Sequence, residues 1–389
     1  MKVIDSVYLD NNATTAVAPE VMAAMAPYFT LKFANPSSLH APGIIAEQAI
    51  KAARHVLAKQ FNANDEEILF TGGGTESINL GIKGVAQALK RQGKHIITVE
   101  TEHEAVLASV NQLVQAGFTV SFAKVDRYGQ VSADAVQALL TDETILVAIM
   151  HVNNELGTIN PIAAIARAVK ARNKNIRVFV DGVQAFGKLN VAMVDVDLYA
   201  ISGHKLHAPK GVGALYVKQG TPLQPLLSGG GQEFGLRSGT ENVPGIVGLV
   251  TATELAYQQL SKNIDHLCAL KLYFVEQLQT LPNVIINSPL DGLPNTINVS
   301  FIGMPAEVMM HSLNAKGVYV SAGSACSGAQ RKPSRVLRAA GLPTKQIQSA
   351  IRFSFSRYQT RDEIDFTLTA INEALQSSVH EKISFLHMT

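Results

Sequence analysis

The sequence predicts an α/β fold, with a large domain built on a mostly parallel sheet of seven strands and a smaller α+β domain after it. Three observations carry this. Between residues 67 and 217, seven short aliphatic runs alternate with amphipathic stretches of helical period, the pattern of βαβ units whose sheet is covered on both faces. Beyond "RSGTENVPG" at 237–245 that rhythm gives way to long helical runs with a few isolated strand candidates. The 389 residues also exceed what one hydrophobic core commonly serves.

The elements follow in order. An Ala-rich helical run at 42–60 leads to the strand "EILFT" (67–71) and a helix from Thr75 to Gln92. Next come "HIITV" (95–99), a helix near 104–116, "TVSFA" (119–123), a helix near 132–140 and "ILVAIMH" (145–151). A helix near 161–173 precedes "RVFVD" (177–181), "LYAIS" (198–202) and "GALYV" (213–217). The second region offers helical runs at 246–281 and 361–377, with strands "TINVSF" (296–301) and "IRFSF" (351–355). No Pro/Gly/Ser linker marks the boundary, which is placed at residue 261. This gives a large domain over 15–261 and a small one from 1–14 together with 262–389.

Apolar residues make up 47% of the chain, which excludes a disordered protein. Lys and Arg total 33 against 31 acidic residues, a net charge of +2, so no general field draws the chain to nucleic acid or to a membrane. "MKVIDSVYLDNNATT" at the start lacks the apolar segment of a secretory signal, and no apolar run reaches bilayer-spanning length. Two cysteines, Cys268 and Cys326, are too few for a disulfide framework, so a cytoplasmic location is expected.

Several strand ends carry residues suited to chemistry. In "AISGHKLHAPKGVGALYV" (200–217), Ser202, His204, Lys205 and Lys210 follow a strand, and a lysine doing covalent chemistry needs such a partly desolvated, cation-crowded place to lose its proton. "LFTGGGTESINL" sets Gly72 to Gly74 between a strand and a helix beginning near Thr75, where free N–H groups and the helix dipole would hold a phosphate. The same glycines would serve as a plain turn into a capped helix. Asp181 ends a buried-type strand in "VFVDGVQAFGK", with Gln184 three residues on, and His103 follows another strand in "VETEHEAV". Ligands of open α/β sheets gather at such carboxyl ends. An Asx turn at Asp181 and a hydrogen-bonded structural His103 remain the ordinary alternatives. Cys326 lies among Gly, Ala and Ser at 321–329, with Arg331, Lys332 and Arg335 nearby to favour a thiolate, and reads as reactive. Cys268, at an apolar helical position in "IDHLCALKLYF", is expected in the core.

A lysine for a Schiff base, an aspartate for a pyridinium nitrogen, a histidine to stack on a ring and a glycine-rich helix start for a phosphate together describe a pyridoxal 5'-phosphate site. With Cys326 added, the chain resembles the cysteine desulfurases of the class V aminotransferase family, of fold type I. The resemblance is carried by "YLDNNATT" (8–15), "NPSSLH" (35–40), "TGGGTESINLGIKG" (71–84), "ETEHEAV" (100–106), "HVNNELGTINPI" (151–162), "VDGVQAFGK" (180–188), "SGHKLHAPKGVGALYV" (202–217), "LRSGTENV" (236–243), "SAGSACSGA" (321–329) and "IRFSFSRY" (351–358). These ten motifs run in order almost from end to end.

The resemblance implies roles. Lys205 would bind the cofactor and later shuttle protons, and His103 would stack on the ring with a part in acid–base chemistry. Asp181 would hold the pyridinium, with Gln184 donating to the phenolic oxygen and Asn154 near cofactor and substrate. Gly74, Thr75, Ser202 and His204 would cradle the phosphate, and Thr240 would reach the phosphate of a neighbouring subunit, implying a homodimer. Arg352 would clamp the substrate carboxylate, and Cys326 would take the sulfur as a persulfide. The scheme converts L-cysteine to L-alanine and calls for no metal. The Cys326 segment resembles the long-loop group, which hands sulfur to an acceptor protein, an iron–sulfur scaffold or a tRNA thiolation enzyme. "TGGGTES" and "VDGVQ" depart from the family pattern only in small residues. The tail "SSVHEKISFLHMT" does not resemble the cysteine-containing segment by which housekeeping relatives engage the iron–sulfur scaffold. The rival enzyme reading is a selenocysteine lyase or another β-lyase or aminotransferase of the family, sharing Lys205 and Asp181 without needing Cys326. The non-enzymatic rival is a catalytically silent scaffold or sulfur carrier.

Overall fold

The structure is a computed structural model that describes residues 4–323 and 333–386, with side chains to residue 377. Along the chain come β1 (Val7–Tyr8), α1 (Pro19–Met25), α2 (Pro27–Thr30), α3 (Ala41–Phe61), β2 (Ile68–Thr71), α4 (Gly74–Leu89), β3 (His95–Val99), α5 (Glu104–Gln115) and β4 (Thr119–Ala123). Then follow α6 (Ala133–Gln137), β5 (Thr144–Met150), α7 (Ile162–Arg172), β6 (Arg177–Asp181), β7 (Leu198–Ser202), β8 (Gly213–Val217), α8 (Val243–Gln258) and α9 (Leu260–Gln279). The rest comprises β9 (Val284–Ile286), β10 (Thr296–Phe301), α10 (Ala306–Ala315), β11 (Val318–Tyr319), α11 (Arg335–Ala339), α12 (Thr344–Gln348), β12 (Ala350–Ser354) and α13 (Arg361–Leu386).

The seven predicted strands form one sheet in the order β2-β8-β7-β6-β5-β3-β4. Only β8 runs against its neighbours, β2 and β7; the other pairs are parallel. Successive residues face opposite ways across this sheet, and the cores record it. Phe70, Val147, Val178, Val180, Tyr199 and Ile201 pack on one face with residues of α3, α7 and α8. Leu69, Leu146, Ala148, Phe179, Leu198 and Ala200 pack on the other with residues of α4 and α5. Strands buried on both faces read as unbroken apolar runs, which is why they stood out in the sequence.

A separate core gathers Val7, Leu9, Phe274, Ile297, Val299, Phe301, Phe353 and Phe355 around the antiparallel sheet β12-β10-β9, with α9, α10 and α13. The helical run expected over 246–281 is broken at Gln259 (φ −117°, ψ 16°). The reason lies in what each half buries: α8 sets Leu249 and Ala252 into the large core, and α9 sets Leu267, Leu270 and Phe274 into the small one. One straight helix cannot face both. Cys268 corrects a second expectation, because it is exposed on α9 between the buried Leu267 and Leu270. Its apolar neighbours in sequence lie on a different face of the helix.

Candidate active site

Since β2, β3, β5, β6 and β7 all point the same way, their carboxyl ends make one rim. The segments leaving them hold Gly72 to Gly74, His103, Asn154, Asp181 and the Ser202–Lys205 turn. The sequence set these groups at strand ends, and the structure has them there, with charges that act on one another. Burial raises the pKa of Asp181, and the charges of His103 and Lys205 offset that rise in part. Asp181 is 5% exposed, and its Oδ1 accepts from the Val183 N–H at 3.0 Å. His103 caps α5, its Nδ1 accepting from the Ala105 N–H at 3.1 Å.

Lys205 is held by the segment after β1. Its Nζ donates to the carbonyl oxygens of Asn12 at 2.6 Å and Ala13 at 2.8 Å. The Asn12 carbonyl also accepts from Nε2 of Gln184 at 3.0 Å, while Oε1 of Gln184 accepts from Lys188 at 2.8 Å. The place is crowded with cations, as a reactive lysine requires. Burial, with Lys205, Lys210 and Lys188 adding, lowers the His204 pKa to about 4, so the ring is neutral near pH 7. His204 Nδ1 lies 3.1 Å from Thr14 Oγ1.

The start of α4 fits a phosphate. Gly73 has φ +145°, a conformation open to glycine, and no side chain caps the helix. A Cβ built on Gly74 would stand 2.8 Å from Val183 Cγ2 and 3.2 Å from Ser202 Cβ, so only a hydrogen there lets β6 and β7 close on the helix start. The helix N–H groups, exposed Thr75 and buried Ser202 thus meet beside Asp181. With Asp181 for a ring nitrogen and Lys205 for a Schiff base, the donor set fits pyridoxal phosphate.

Arg352, in β12, is 1% exposed. It donates to Asp10 Oδ1 at 2.6 Å and, through its other terminal nitrogen, to the Asn154 carbonyl at 3.1 Å. Among the described residues its buried Nε has no partner, an unmet donor that an incoming carboxylate could satisfy. Thr240 is exposed. Its segment is nonetheless tied to α4 by the Arg237–Glu76 ion pair at 2.8 Å. Cys326, Arg331 and Lys332 lie outside the described residues. Arg335 has a use the sequence did not reveal: it donates to the carbonyls of Glu100 and Glu102 and pairs with Glu104, gripping the turn that carries His103.

Sequence reasoning missed Asp10, Asn12, Glu102 and Lys188. Asp10 and Asn12 stand inside "YLDNNATT", and Lys188 follows Gln184 by four residues, a spacing that would have paired them on a helical turn. Glu102 is 1% exposed; its Oε1 accepts from Met150 N–H at 2.6 Å, its Oε2 has no partner, and burial, then Asp181, raises its pKa well above the usual carboxyl range.

A lysine, an aspartate and a histidine on one sheet rim beside a glycine-opened helix start define the site of a class of pyridoxal-phosphate enzymes. The chain belongs to the class-V aminotransferase family, whose model matches residues 7–366. It is 44% identical over 374 residues to a cysteine desulfurase IscS of Dictyoglomus turgidum, covering 95% of this chain and 94% of that one. Among solved structures, a NifS-like protein superposes with a TM-score of 0.91 at 41% identity, covering 95% of this chain and 99% of the other. A structure of SspA in complex with cysteine aligns at 36% identity and a TM-score of 0.79, covering 91% of this chain and 99% of that one.

Proposed function

We propose that this protein is a pyridoxal 5'-phosphate-dependent cysteine desulfurase. It converts L-cysteine to L-alanine and passes the sulfur through a persulfide on Cys326 to an acceptor protein. The observation that carries the reading is the placing of His103, the buried Asp181 and Lys205 after neighbouring strands of one sheet rim, beside the Gly73–Gly74 helix start. The desulfurase among the relatives and the cysteine in the SspA structure support the same substrate.

The cofactor, when bound, supplies an electron sink for charge developing at the substrate α-carbon. Burial raises the Asp181 pKa and the charges of His103 and Lys205 offset that in part; its carboxylate would hold the proton of the ring nitrogen. Lys205, oriented by the carbonyls of Asn12 and Ala13, carries the α-proton. Arg352 would bind the substrate carboxylate, and neutral His204 would join Gly74, Thr75 and Ser202 around the phosphate. The net reaction balances: L-cysteine and the Cys326 thiol give L-alanine and the Cys326 persulfide. The substrate's carbon–sulfur bond breaks, and a sulfur–sulfur bond forms on Cys326.

The assembly we infer is a homodimer. Supporting it, Met22, Phe29, Leu31, Phe33 and Leu39 are 53–95% exposed over one short stretch, more apolar surface than a monomer usually leaves open. Thr240 would then serve the partner's phosphate. The acceptor would be an iron–sulfur scaffold or a tRNA thiolation enzyme. Among the described residues no helix is long and apolar enough to cross a membrane; with only two cysteines, the cytoplasm is the compartment we assign. A large domain over 15–261, and a small one from 1–14 with 262–389, fits the break at Gln259.

Purified protein incubated with L-cysteine and a thiol reductant should form alanine and sulfide in equal amounts and show the visible absorption of bound cofactor. Cys326→Ala should abolish both products. Full alanine formation by that variant would instead mark a lyase of the selenocysteine type, and a coloured protein forming no alanine would mark a silent scaffold.

A further inference from the structure

Lys188 stands behind the site and has no place in the chemistry above. Its Nζ donates to Gln184 Oε1 at 2.8 Å, and with Lys205, Asn11 and Asn295 it lines a small cavity of about 50 Å³. Burial, then the charges of Lys205 and Arg352, lowers its pKa to about 7. Among the described residues no carboxylate pairs with it. A lysine kept in such surroundings calls for a use.

Donor chemistry suggests one. An ammonium has three donors and no acceptor, whereas a primary amide carries an oxygen on one side and an NH₂ of the same shape on the other. Below about pH 7, where Lys188 carries its full proton count, only the oxygen is tolerated facing it. The NH₂ is thereby turned to the opposite side, where it donates to the Asn12 carbonyl at 3.0 Å, the same oxygen that accepts from Lys205 at 2.6 Å. Rotating the amide by half a turn would set oxygen against the Asn12 oxygen and NH₂ against the ammonium, replacing two hydrogen bonds with two repulsions.

We propose that Lys188 is a positioning residue, fixing the Gln184 amide with its NH₂ toward Asn12 and the cofactor's phenolic oxygen. This rests on the cofactor site given under Proposed function. It acts on the cofactor only through Gln184.

The test uses holoenzyme without substrate and reads the visible absorption maximum of the bound cofactor and its pH titration. Variants are Lys188→Met, Gln184→Ala, the double variant and Lys188→Arg, with thermal melts alongside. Lys188→Met should shift the maximum in the same direction as Gln184→Ala, the double variant should match Gln184→Ala alone, and Lys188→Arg, again donor-only, should restore the wild-type spectrum. Should Lys188→Met not fold, Lys188→Gln, whose own amide can offer either face, replaces it in the same cycle. The inference is overturned if Gln184→Ala moves the maximum and the Lys188 variant does not, or if the two shifts add. A Gln184→Ala spectrum identical to wild type is a different failure: Gln184 then does not touch the cofactor, and the site assignment falls with the inference built on it.

Discussion

Replacing Gly74 by alanine tests the phosphate cradle through a defined collision. The new Cβ would lie 2.8 Å from Val183 Cγ2 and 3.2 Å from Ser202 Cβ, closer than carbon atoms pack; Ser202 is buried at the end of β7, and Val183 is a β-branched residue in the half-buried turn after β6. Overpacking of this kind costs about 1–3 kcal/mol. If that strain falls on the cofactor-bound form, pyridoxal phosphate affinity drops roughly 5- to 150-fold, since about 1.4 kcal/mol is a factor of ten. The adjacent Gly73 fails for another reason. A Cβ there meets only Ser202 Oγ, at 3.9 Å, but its φ of +145° disfavours any side chain. Removing the Val183 methyl groups separates the two causes. Val183→Ala should recover most of the affinity lost by Gly74→Ala and none of that lost by Gly73→Ala. The assay is fluorescence titration of apoprotein with cofactor, with thermal melts to follow folding. The reasoning is refuted if Gly74→Ala binds cofactor as wild type does, or if Val183→Ala rescues both glycine variants equally.

Three further outcomes are expected. Arg352→Lys keeps the charge but has one nitrogen to divide between Asp10, the Asn154 carbonyl and a substrate carboxylate; loss of a charge-assisted hydrogen bond predicts a roughly 10- to 100-fold lower kcat/KM, carried mostly by KM. A KM for cysteine within twofold of wild type would sink the clamp. Glu102 has a folded pKa above its unfolded value, so its contribution to stability is full below about pH 4.3 and is lost as pH rises through the folded value. Glu102→Gln stays neutral, and its melting temperature should exceed wild type's by a margin that widens with rising pH; a constant margin would contradict the ionisation argument. With two cysteines in the chain and Cys268 exposed, folded Cys326→Ala should react with one equivalent of a thiol reagent, where a core cysteine would give none before unfolding.

The sheet was legible because its inner strands are buried on both faces and write continuous apolar runs into the sequence, with β3, β6 and β7 leading into His103, Asp181 and Lys205. That pattern put Asp181, His103 and Lys205 at strand ends, and the family resemblance supplied the roles proposed for them. Side-chain direction on a helix was harder. Cys268 looked internal from its neighbours, yet Leu267 and Leu270 take the buried stripe and leave it outside. The second use of Arg335 was invisible for a different reason, since it depends on carbonyls more than 230 positions away in sequence. Backbone acceptors carry no residue signature. The same holds for the carbonyls of Asn12 and Ala13, whose grip on Lys205 no composition or spacing announces.

Asn12 explains why the reactive lysine sits where the two cores meet. The chain leaves the small core at Leu9, and within a few residues Asn12 is bonded in every direction. Its N–H donates to Ser354 Oγ, its Nδ2 to Thr296 Oγ1 and the Asn154 carbonyl, and its Oδ1 accepts from Asn295. Ser354 and Thr296 belong to the small sheet and Asn154 follows a strand of the large one, so the side chain spans both. The one polar group left, its carbonyl, takes Lys205 and Gln184. A buried amide with all its partners fixed has little freedom to shift. Any movement of the small core relative to the large sheet would therefore be transmitted to the Lys205 amine and the Gln184 amide at once, so the 10–15 segment would set the proposed substrate grip at Arg352 and the proposed proton transfer at Lys205 in register.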